Sequence, residues 1–332
     1  MKKVLTISIA AYNVEKFIDK TLDSLIIENM DLLEVLIIND GSKDNTLQIA
    51  QKYESKYPKT FRVIDKENGG YGSTINAGIK HANGKYFKQL DGDDSYVTNN
   101  LNELCLKLQE MDEDMVYTPY IKHNIINQTE EIVKNNVTNY SEITNLEEII
   151  KHVDPVLYMH NLLYKTEILK INNIKIDENC FYTDTEYVLF PIIYCKTIAV
   201  LNLPIYVYRY GDENQSIGRL GKLKHYKDHL RMSNSLLARV PDIEKLPENL
   251  SEYFKEYLAS IFASGIANYL MILKPTKENY ILIEEYDKKI FDTNKEIYNK
   301  MNKYSKTVRS IRKSNYITYV ILNFIKNKLI KR

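Results

Sequence analysis

Cysteine is scarce in this sequence. Among 332 residues only Cys105, Cys180 and Cys195 occur, and no two of them form a CxxC pair. A disulfide framework and a structural zinc site both need more cysteines at closer spacing. Both are therefore excluded, and the scarcity fits a protein of the reducing cytosol.

The sequence also lacks an excess of charge of either sign. Its 45 Lys and Arg residues nearly balance its 44 Asp and Glu residues, which leaves no basic footprint for nucleic acid. The partners expected instead are small molecules or glycans.

Long apolar runs are missing as well. No uncharged stretch of about 18 apolar residues is present, which argues against a transmembrane helix. The run at Val4–Ala10 is too short and too interrupted for the core of a signal peptide, and it predicts a strand. A cytoplasmic protein is expected, with peripheral attachment to the inner face of a membrane left open.

Short apolar runs alternate with amphipathic segments over the first 95 residues. The runs predict strands at Val4–Ala11, Leu33–Ile38, Phe61–Asp65 and Lys85–Leu90. Asn13 is placed to cap the helix after the first strand, and Asp44 or Asn45 to start the helix after the second. This alternation is typical of βαβ units. The predicted fold class is α/β, with a mainly parallel sheet and helices on both faces.

Polar turns follow three of these strands, at Tyr12–Asn13, Asn39–Ser42 and Asp91–Asp94. Ligands of parallel sheets bind at the carboxyl ends of the strands, which meet at one edge. The three turns should therefore converge on one site.

The pattern changes in the second part of the chain. Residues 96–215 predict mixed helix and strand, whereas turn residues become rare from about residue 216 onward. Tyr and Leu then recur at helical spacing in Leu220–Leu237, Leu250–Leu273 and Asn279–Met301. We therefore predict a domain over residues 1–215 and a helical region over 216–332.

Three carboxylates, Asp91, Asp93 and Asp94, share one turn. Mg²⁺ and Mn²⁺ commonly take one or two carboxylates together with phosphate oxygens. A calcium-binding loop is the rival interpretation, but Tyr96 stands where that loop needs glycine and Asn102 where it needs glutamate. Two interpretations of these residues remain: a site for Mg²⁺ or Mn²⁺, or a short acidic turn of the kind that is common on protein surfaces.

Gly70-Tyr71-Gly72 lies between a predicted strand and a predicted helix. A dinucleotide-binding fingerprint is excluded, because Ile75 replaces its third glycine. Two interpretations remain. Either the turn lets the backbone approach a ligand, with Asn68 and Asn76 available for hydrogen bonds, or it is a tight strand-to-helix connection.

Four segments together resemble the motifs of one family. They are Ile9–Glu15 (IAAYNVE), Ile38–Thr46 (INDGSKDNT), Asn68–Gly78 and Leu90–Asp94 (LDGDD). In this order and spacing they resemble glycosyltransferase family 2, whose catalytic domain has the Rossmann-like GT-A fold. The resemblance implies a GT-A domain over residues 1–215, with a nucleotide-binding half at 1–95 and an acceptor half at 96–215.

The resemblance also implies roles for single residues on the donor side. Ala10, Ala11 and Tyr12 would form the floor under the nucleotide base, and Asp40 would hydrogen-bond the base, typically uracil. The other nucleotide contacts it implies are Asn68, Gly70, Asn76, Asp91 and Gly92. Asp91 and Asp93 would hold a divalent cation, Mn²⁺ or Mg²⁺, on the diphosphate. Ala10 stands where the family usually has proline, and Ile75 where it often has arginine, which leaves the donor's identity open.

On the acceptor side, Phe181–Tyr187 resembles the segment that carries the general base. That role falls on Asp184, with Glu186 as the second choice. A helix N-cap is the alternative for Asp184.

Further candidate contacts with donor or acceptor are Asp94, His160, Glu186 and Arg209. His160 has a structural role as its alternative. Arg209 belongs to a segment through Gln215 and Ser216, and the resemblance implies that this segment folds back towards the donor phosphates. A surface or structural salt bridge is the alternative for Arg209.

The reaction implied is transfer of a sugar, with inversion, from a nucleotide donor to a hydroxyl of a glycan or glycoconjugate. UDP-sugars are the expected donors, and the expected products are bacterial-type surface polysaccharides. A non-catalytic module that binds nucleotide sugars is the alternative. A sugar-nucleotide pyrophosphorylase is discounted, because Ala10–Asn13 stands where its glycine- and Lys/Arg-rich loop should follow the first strand.

The C-terminal end is basic, since no acidic residue follows Glu296. Its cations are Lys303, Lys306, Arg309, Arg312, Lys313, Lys326, Lys328, Lys331 and Arg332, and apolar residues lie between them. This pattern predicts an interfacial helix that binds anionic membranes reversibly. A terminal helix that packs on the domain or on a second subunit, giving a homodimer, is the alternative.

Overall fold

The computed structural model describes residues 2–142, 144–154, 156–211, 218–313 and 316–329. The chain divides into two compact units, Met1–Gly211 and Asp212–Arg332. Gln215, Ser216, Ser314, Ile330, Lys331 and Arg332, which entered the predictions above, lie outside the described residues.

The first unit is a mixture of strands and helices. Its strands are β1 (Leu5–Ala11), β2 (Leu33–Asp40), β3 (Phe61–Lys66), β4 (Tyr86–Asp91), β5 (Ser95–Tyr96), β6 (Met115–Tyr117), β7 (Tyr120–Asn124), β8 (Thr129–Val133), β9 (Leu162–Lys165), β10 (Ile198–Val200) and β11 (Tyr206–Tyr210). Its helices are α1 (Ile18–Asp23), α2 (Thr46–Lys56), α3 (Tyr71–His81), α4 (Thr98–Leu108), α5 (Leu146–Ile150), α6 (Thr166–Ile171) and α7 (Asp184–Ile192). Short 3₁₀ turns occur at Met30–Leu32, Asn136–Tyr140 and Met159–Asn161.

The main sheet has seven strands in the order β10-β6-β9-β4-β1-β2-β3. Only β9 runs antiparallel to its neighbours β4 and β6. All eight residues of β2 are buried, which explains why its sequence is a nearly continuous apolar run rather than an alternating one. The predicted α/β fold with a mainly parallel sheet is confirmed.

A second sheet of four strands, in the order β5-β11-β7-β8, was not predicted. In it β11 pairs in parallel with β7, with Tyr206 opposite Tyr120, and antiparallel with the two-residue strand β5. A two-residue strand such as β5 has too few residues to show an alternating pattern.

The prediction that Asn13 caps the first helix is wrong. The helix begins at Ile18 with Phe17 at the N-cap. Asn13 instead has a φ of +52°, a conformation that asparagine tolerates better than most residues. Its Oδ1 accepts a hydrogen bond from the Lys43 N–H at 2.8 Å, and its own N–H donates to Ser42 Oγ at 3.1 Å. Asn13 therefore ties the turn after β1 to the turn after β2.

The second unit is helical, which confirms the helical C-terminal region. Its helices are α8 (Arg219–Lys224), α9 (Tyr226–Leu237), α10 (Val240–Ile243), α11 (Glu248–Ser264), α12 (Lys277–Thr293), α13 (Lys295–Tyr304), α14 (Lys306–Arg312) and α15 (Tyr316–Leu329), with a π-helical segment at Gly265–Leu270 after α11. Side chains of Thr276, Asn294 and Ser305 cap α12, α13 and α14. Among the described residues, no helix combines the length and the apolar character needed to cross a membrane.

Candidate functional site

The ends of β1, β2 and β4 meet at one edge of the main sheet. The register places Ala10 beside Ile38 of β2 on one side and beside Asp91 of β4 on the other. The N–H of Gly92 donates to the Ala10 carbonyl at 3.0 Å, and a Cβ at position 92 would lie 2.7 Å from that oxygen. Only glycine therefore fits at position 92 against β1.

Ala10, Ala11 and Tyr12 form the end of β1 and the turn behind it. Ala11 is buried, whereas the ring of Tyr12 is 50% exposed. An exposed aromatic ring at the carboxyl end of a central strand offers a surface on which a planar base can stack.

Asp40, at the end of β2, is buried and organises the loop before α3. Its Oδ1 accepts from Lys66 Nζ at 2.7 Å, from the Gly69 N–H at 2.9 Å and from Ser73 Oγ at 3.3 Å. Its Oδ2 accepts from the Gly70 N–H at 2.9 Å. A carboxylate has about four lone-pair sites shared by two oxygens, so Oδ2 retains the capacity for a further donor.

Asn68, Gly70 and Asn76 shape the same loop. The amide of Asn68 donates to the Asp40 carbonyl at 2.9 Å, and Gly70 has a φ of +78° that favours glycine. The Asn76 side chain donates to the Ile176 carbonyl at 2.8 Å and accepts from the Ile176 N–H at 2.9 Å. Asn76 therefore positions the segment around residue 176, and its predicted contact with a nucleotide stays a prediction.

Two tyrosines hold carboxylates at the end of β4 and in the turn after it. Tyr71 donates to Asp91 Oδ1 at 2.7 Å. Tyr206 donates to Asp94 Oδ2 at 2.6 Å, and its oxygen accepts the Asp91 N–H at 3.3 Å. Asp94 Oδ1 accepts the Arg209 N–H at 2.7 Å. Both oxygens of Asp94 are thus bound within the protein, which gives Asp94 a structural role between the two sheets.

Tyr206→Phe is expected to lower the free energy of unfolding by about 1–3 kcal/mol, because it leaves the buried Asp94 Oδ2 without its donor. Urea denaturation of the variant measures this loss. The matched control is Tyr208→Phe, which removes a hydroxyl from the same strand. Equal losses of stability in the two variants would contradict the role given to Tyr206.

His160, in the 3₁₀ turn Met159–Asn161, lies next to these carboxylates. One ligand atom from each of Asp91, Asp94 and His160 lies within 4.8 Å of the other two. Burial, together with Lys88 and Lys122, lowers the pKa of His160 to about 3, so the ring is neutral. Its Nδ1 is buried and has no hydrogen-bond partner among the described residues. A neutral imidazole with an unused nitrogen is the form that binds metals.

Asp93 is partly buried in the same turn. Burial, and then the charge of Asp93, raise the pKa of Asp91. A divalent cation placed among these groups would remove that repulsion. Carboxylates with an imidazole are a donor set that suits Mn²⁺ and similar ions. The residues present therefore fit the expected cofactor.

Asp184 is the first residue of α7, and Thr183 is the N-cap. The N-cap alternative for Asp184 is therefore wrong. Burial raises the pKa of Asp184. The negative charge of Asp184 in turn contributes to the raised pKa values of Asp91 and Tyr71, after burial as the main cause. Asp184 is therefore close enough to Asp91, at the end of β4, to help raise the pKa of that carboxyl.

Glu186, the second choice for the base, is fully buried. Its Oε2 accepts the Asp177 N–H at 2.8 Å. This bond gives Glu186 a part in holding the segment before α7.

Arg209 lies on β11, with its guanidinium 4.3 Å from the centre of the Phe17 ring. Such a cation–π contact helps to fix the side chain. The predicted contact of Arg209 with phosphate stays a prediction.

Sequence reasoning missed Tyr71, Tyr206 and Lys88. Lys88 is fully buried, and its Nζ donates to the carbonyls of His160 at 2.8 Å and Leu162 at 3.3 Å. Burial lowers its pKa to about 7. A lone lysine inside a buried strand was the available signal, because lysine is almost never fully buried without a reason. For the two tyrosines we find no such signal.

The sequence profile described as "Glycosyl transferase family 2" matches residues 6–171, half of the chain. The chain belongs to glycosyltransferase family 2. The uncharacterized glycosyltransferase EpsJ of Bacillus subtilis (strain 168) is 30% identical over 216 residues, which are 63% of this chain and 62% of EpsJ. The minor teichoic acid biosynthesis protein GgaB of the same organism is 27% identical over 255 residues, 74% of this chain and 27% of GgaB. This family 2 chain thus spans only part of the length of either relative.

Among solved structures, S. aureus TarS 1–349 in complex with UDP-GlcNAc is similar. The match has a TM-score of 0.68 and 19% identity, and it covers 98% of this chain and 92% of that one. At this identity the likeness supports the fold, the GT-A architecture that the family resemblance implied.

Proposed function

We propose that this family 2 chain is an inverting glycosyltransferase that moves a sugar from a UDP-sugar to a hydroxyl of a glycan or glycoconjugate. The observation that carries this proposal is the grouping at the end of β4. There Asp91 and His160 offer metal ligands. Asp184 is close enough for its charge to raise the pKa of Asp91. One site thus combines donor, metal and base functions.

The donor half is formed by the loops after β1 and β2. Tyr12 stacks on the base, and Asp40 accepts its N–H through Oδ2, the oxygen with one partner among the described residues. Asn68, Gly70 and Gly92 hold the loops that surround the base. TarS, which shares the fold, has been solved with UDP-GlcNAc, and this supports UDP-N-acetylglucosamine as the first donor to test.

Asp91, Asp93 and His160 would hold a divalent cation, whereas Asp94 is occupied by Tyr206 and Arg209. When bound, the cation would stabilise the negative charge that develops on the leaving diphosphate. Tyr71 keeps Asp91 oriented towards that position through its hydrogen bond to Oδ1.

Asp184 acts as the general base in a single displacement. The acceptor oxygen forms a bond to the anomeric carbon while the bond from that carbon to the diphosphate oxygen breaks, which inverts the configuration. The acceptor's proton passes to the Asp184 carboxylate, and UDP leaves with the bonding electron pair. The raised pKa of Asp184 strengthens it as a proton acceptor.

The acceptor proposed is a bacterial surface polymer. GgaB, whose name records teichoic acid biosynthesis, supports this class of acceptor. A non-catalytic module that binds nucleotide sugars is the alternative function, and turnover distinguishes the two.

A panel of donors tests the function. We expect the purified chain with Mn²⁺ to release UDP from at least one of UDP-glucose, UDP-galactose and their N-acetyl forms. GDP-mannose should be inactive, and a chelator should stop the reaction. Released nucleotide is measured by chromatography, and the anomeric configuration of the product by NMR.

Three outcomes would contradict parts of the proposal. Turnover of GDP-mannose alone would overturn the donor assignment. A product with retained configuration would overturn the mechanism. Binding of UDP-sugars without any turnover, with or without acceptor, would favour the non-catalytic module.

A further inference from the structure

Helix α15 exposes one apolar face. Its members are Ile317, Ile321, Phe324 and Ile325, which are 65%, 53%, 66% and 48% exposed. They follow the spacing i, i+4, i+7 and i+8, which places them on one side of a helix. We call these four residues the apolar face of α15.

The opposite side of α15 fixes the helix against the rest of the second unit. Tyr319 and Asn323 are buried there. The amide of Asn323 donates to the carbonyls of Met271 at 2.7 Å and Leu273 at 2.8 Å. Rotating the helix to bury its apolar face would break both bonds. The predicted packing of the tail is therefore present on one side only, and the other side stays exposed.

The structure divides the basic residues of the tail into two groups. Arg312 forms a bidentate pair with Asp287 at 2.7–2.9 Å, and Lys303 pairs with Glu256 at 3.3 Å, so both serve the fold. Lys313 and Lys328 are exposed. No acidic residue lies within α15 or anywhere after Glu296.

Lys328 lies four residues after Phe324 and seven after Ile321, which places it on the side of α15 that carries the apolar face. Lys326 lies on the other side of the helix, where its Nζ donates to Asn268 Oδ1 at 3.3 Å. Lys328 is therefore the cation of α15 that accompanies the apolar face.

We propose that the apolar face of α15, with Lys328 on the same side of the helix, binds the surface of an anionic membrane. The four apolar side chains enter the boundary between headgroups and acyl chains, while Lys328 contacts anionic headgroups. The charges favour lipid over a second copy of this chain. A twofold contact through this face would bring Lys328 of two copies together. The proposal does not depend on the proposed transfer reaction.

Sedimentation of the full chain with vesicles tests the proposal. At low salt the protein should pellet with vesicles of equal parts phosphatidylcholine and phosphatidylglycerol. It should stay in the supernatant with phosphatidylcholine alone, and high salt should release it. The double variant Ile321→Glu, Phe324→Glu should bind anionic vesicles at least about tenfold more weakly, because it places charges in the inserted face. Both positions are exposed, so the melting temperature should not change.

The matched control is Ile171→Glu combined with Ile126→Glu. Both isoleucines are exposed, at 72% and 75%, and lie in the first unit. The control adds the same negative charge and should bind vesicles like the unchanged chain. Equal loss in both double variants would show that net charge, and not this face, governs binding. Failure of the unchanged chain to pellet at low salt would also overturn the proposal. So would a dimer in solution that the α15 variant dissociates, if vesicle binding is absent.

Discussion

Asp184→Asn is expected to reduce sugar transfer by about 10²–10⁴-fold while UDP and Mn²⁺ still bind, because an amide has the shape of the carboxylate but cannot take the acceptor's proton. Asp184 begins α7, so its backbone position is fixed by the helix and does not depend on the charge of its side chain. Its effect on the pKa of Asp91 comes after burial, so its removal should leave the donor side nearly unchanged. Steady-state transfer measures the loss, and calorimetry with UDP measures the retained binding.

Glu186→Gln is the matched control, since it makes the same chemical change two residues further along the same helix. Glu186 is buried and accepts the Asp177 N–H, a bond that the remaining carbonyl of Gln can still accept. We expect lower thermal stability and largely retained transfer. If Glu186→Gln loses transfer and Asp184→Asn does not, the base is Glu186. If Asp184→Asn loses UDP binding, Asp184 belongs to the donor site and its proposed role is wrong.

The central strands could be predicted because each is long enough and apolar enough to be recognised locally. β2 is buried on both faces and shows a nearly continuous apolar run. It pairs in parallel with β1, and β1 pairs in parallel with β4 on its other side. The turns after these strands converge because strand direction is fixed by the βαβ connection. The central strands and the convergence of their turns therefore follow from the apolar pattern of the sequence and from the geometry of βαβ connections.

The rest of the site depends on contacts between distant parts of the chain. Tyr206 follows the Asp91–Asp94 turn by more than a hundred residues in the sequence and donates to Asp94. Its strand, β11, belongs to the second sheet, where it pairs with the two-residue strand β5. Lys88 donates to the His160 carbonyl, 72 residues further along the chain. Nothing local marks such pairs, so the sequence grouped Asp94 with its neighbours as one acidic turn. In the structure, both carboxylate oxygens of Asp94 accept hydrogen bonds, one from Tyr206 and one from the Arg209 N–H.

Because both oxygens of Asp94 are bound within the protein, Asp93 and Asp91 are the carboxylates expected to hold the cation. Asp93→Ala is expected to weaken Mn²⁺ binding in the presence of UDP by about 100-fold or more, since even loss of an outer-shell partner typically costs 10–100-fold. Metal-dependent turnover should be abolished with it. The fold should persist, because Asp93 lies in a turn and repels Asp91, so its removal relieves a repulsion between carboxylates. Calorimetric titration of Mn²⁺ into the UDP complex measures the affinity without relying on turnover.

Asp94→Asn is the matched comparison within the same turn. The asparagine carbonyl can still accept the Arg209 N–H, and its amide can donate to the Tyr206 oxygen, so both structural bonds have replacements. We therefore expect Mn²⁺ affinity close to that of the unchanged chain. The opposite result, with Asp94→Asn losing Mn²⁺ and Asp93→Ala retaining it, would assign the cation to Asp91, Asp94 and His160. Because those three side chains are the ones with ligand atoms within 4.8 Å of one another, that result would mean that Asp94 exchanges its internal hydrogen bonds for the metal.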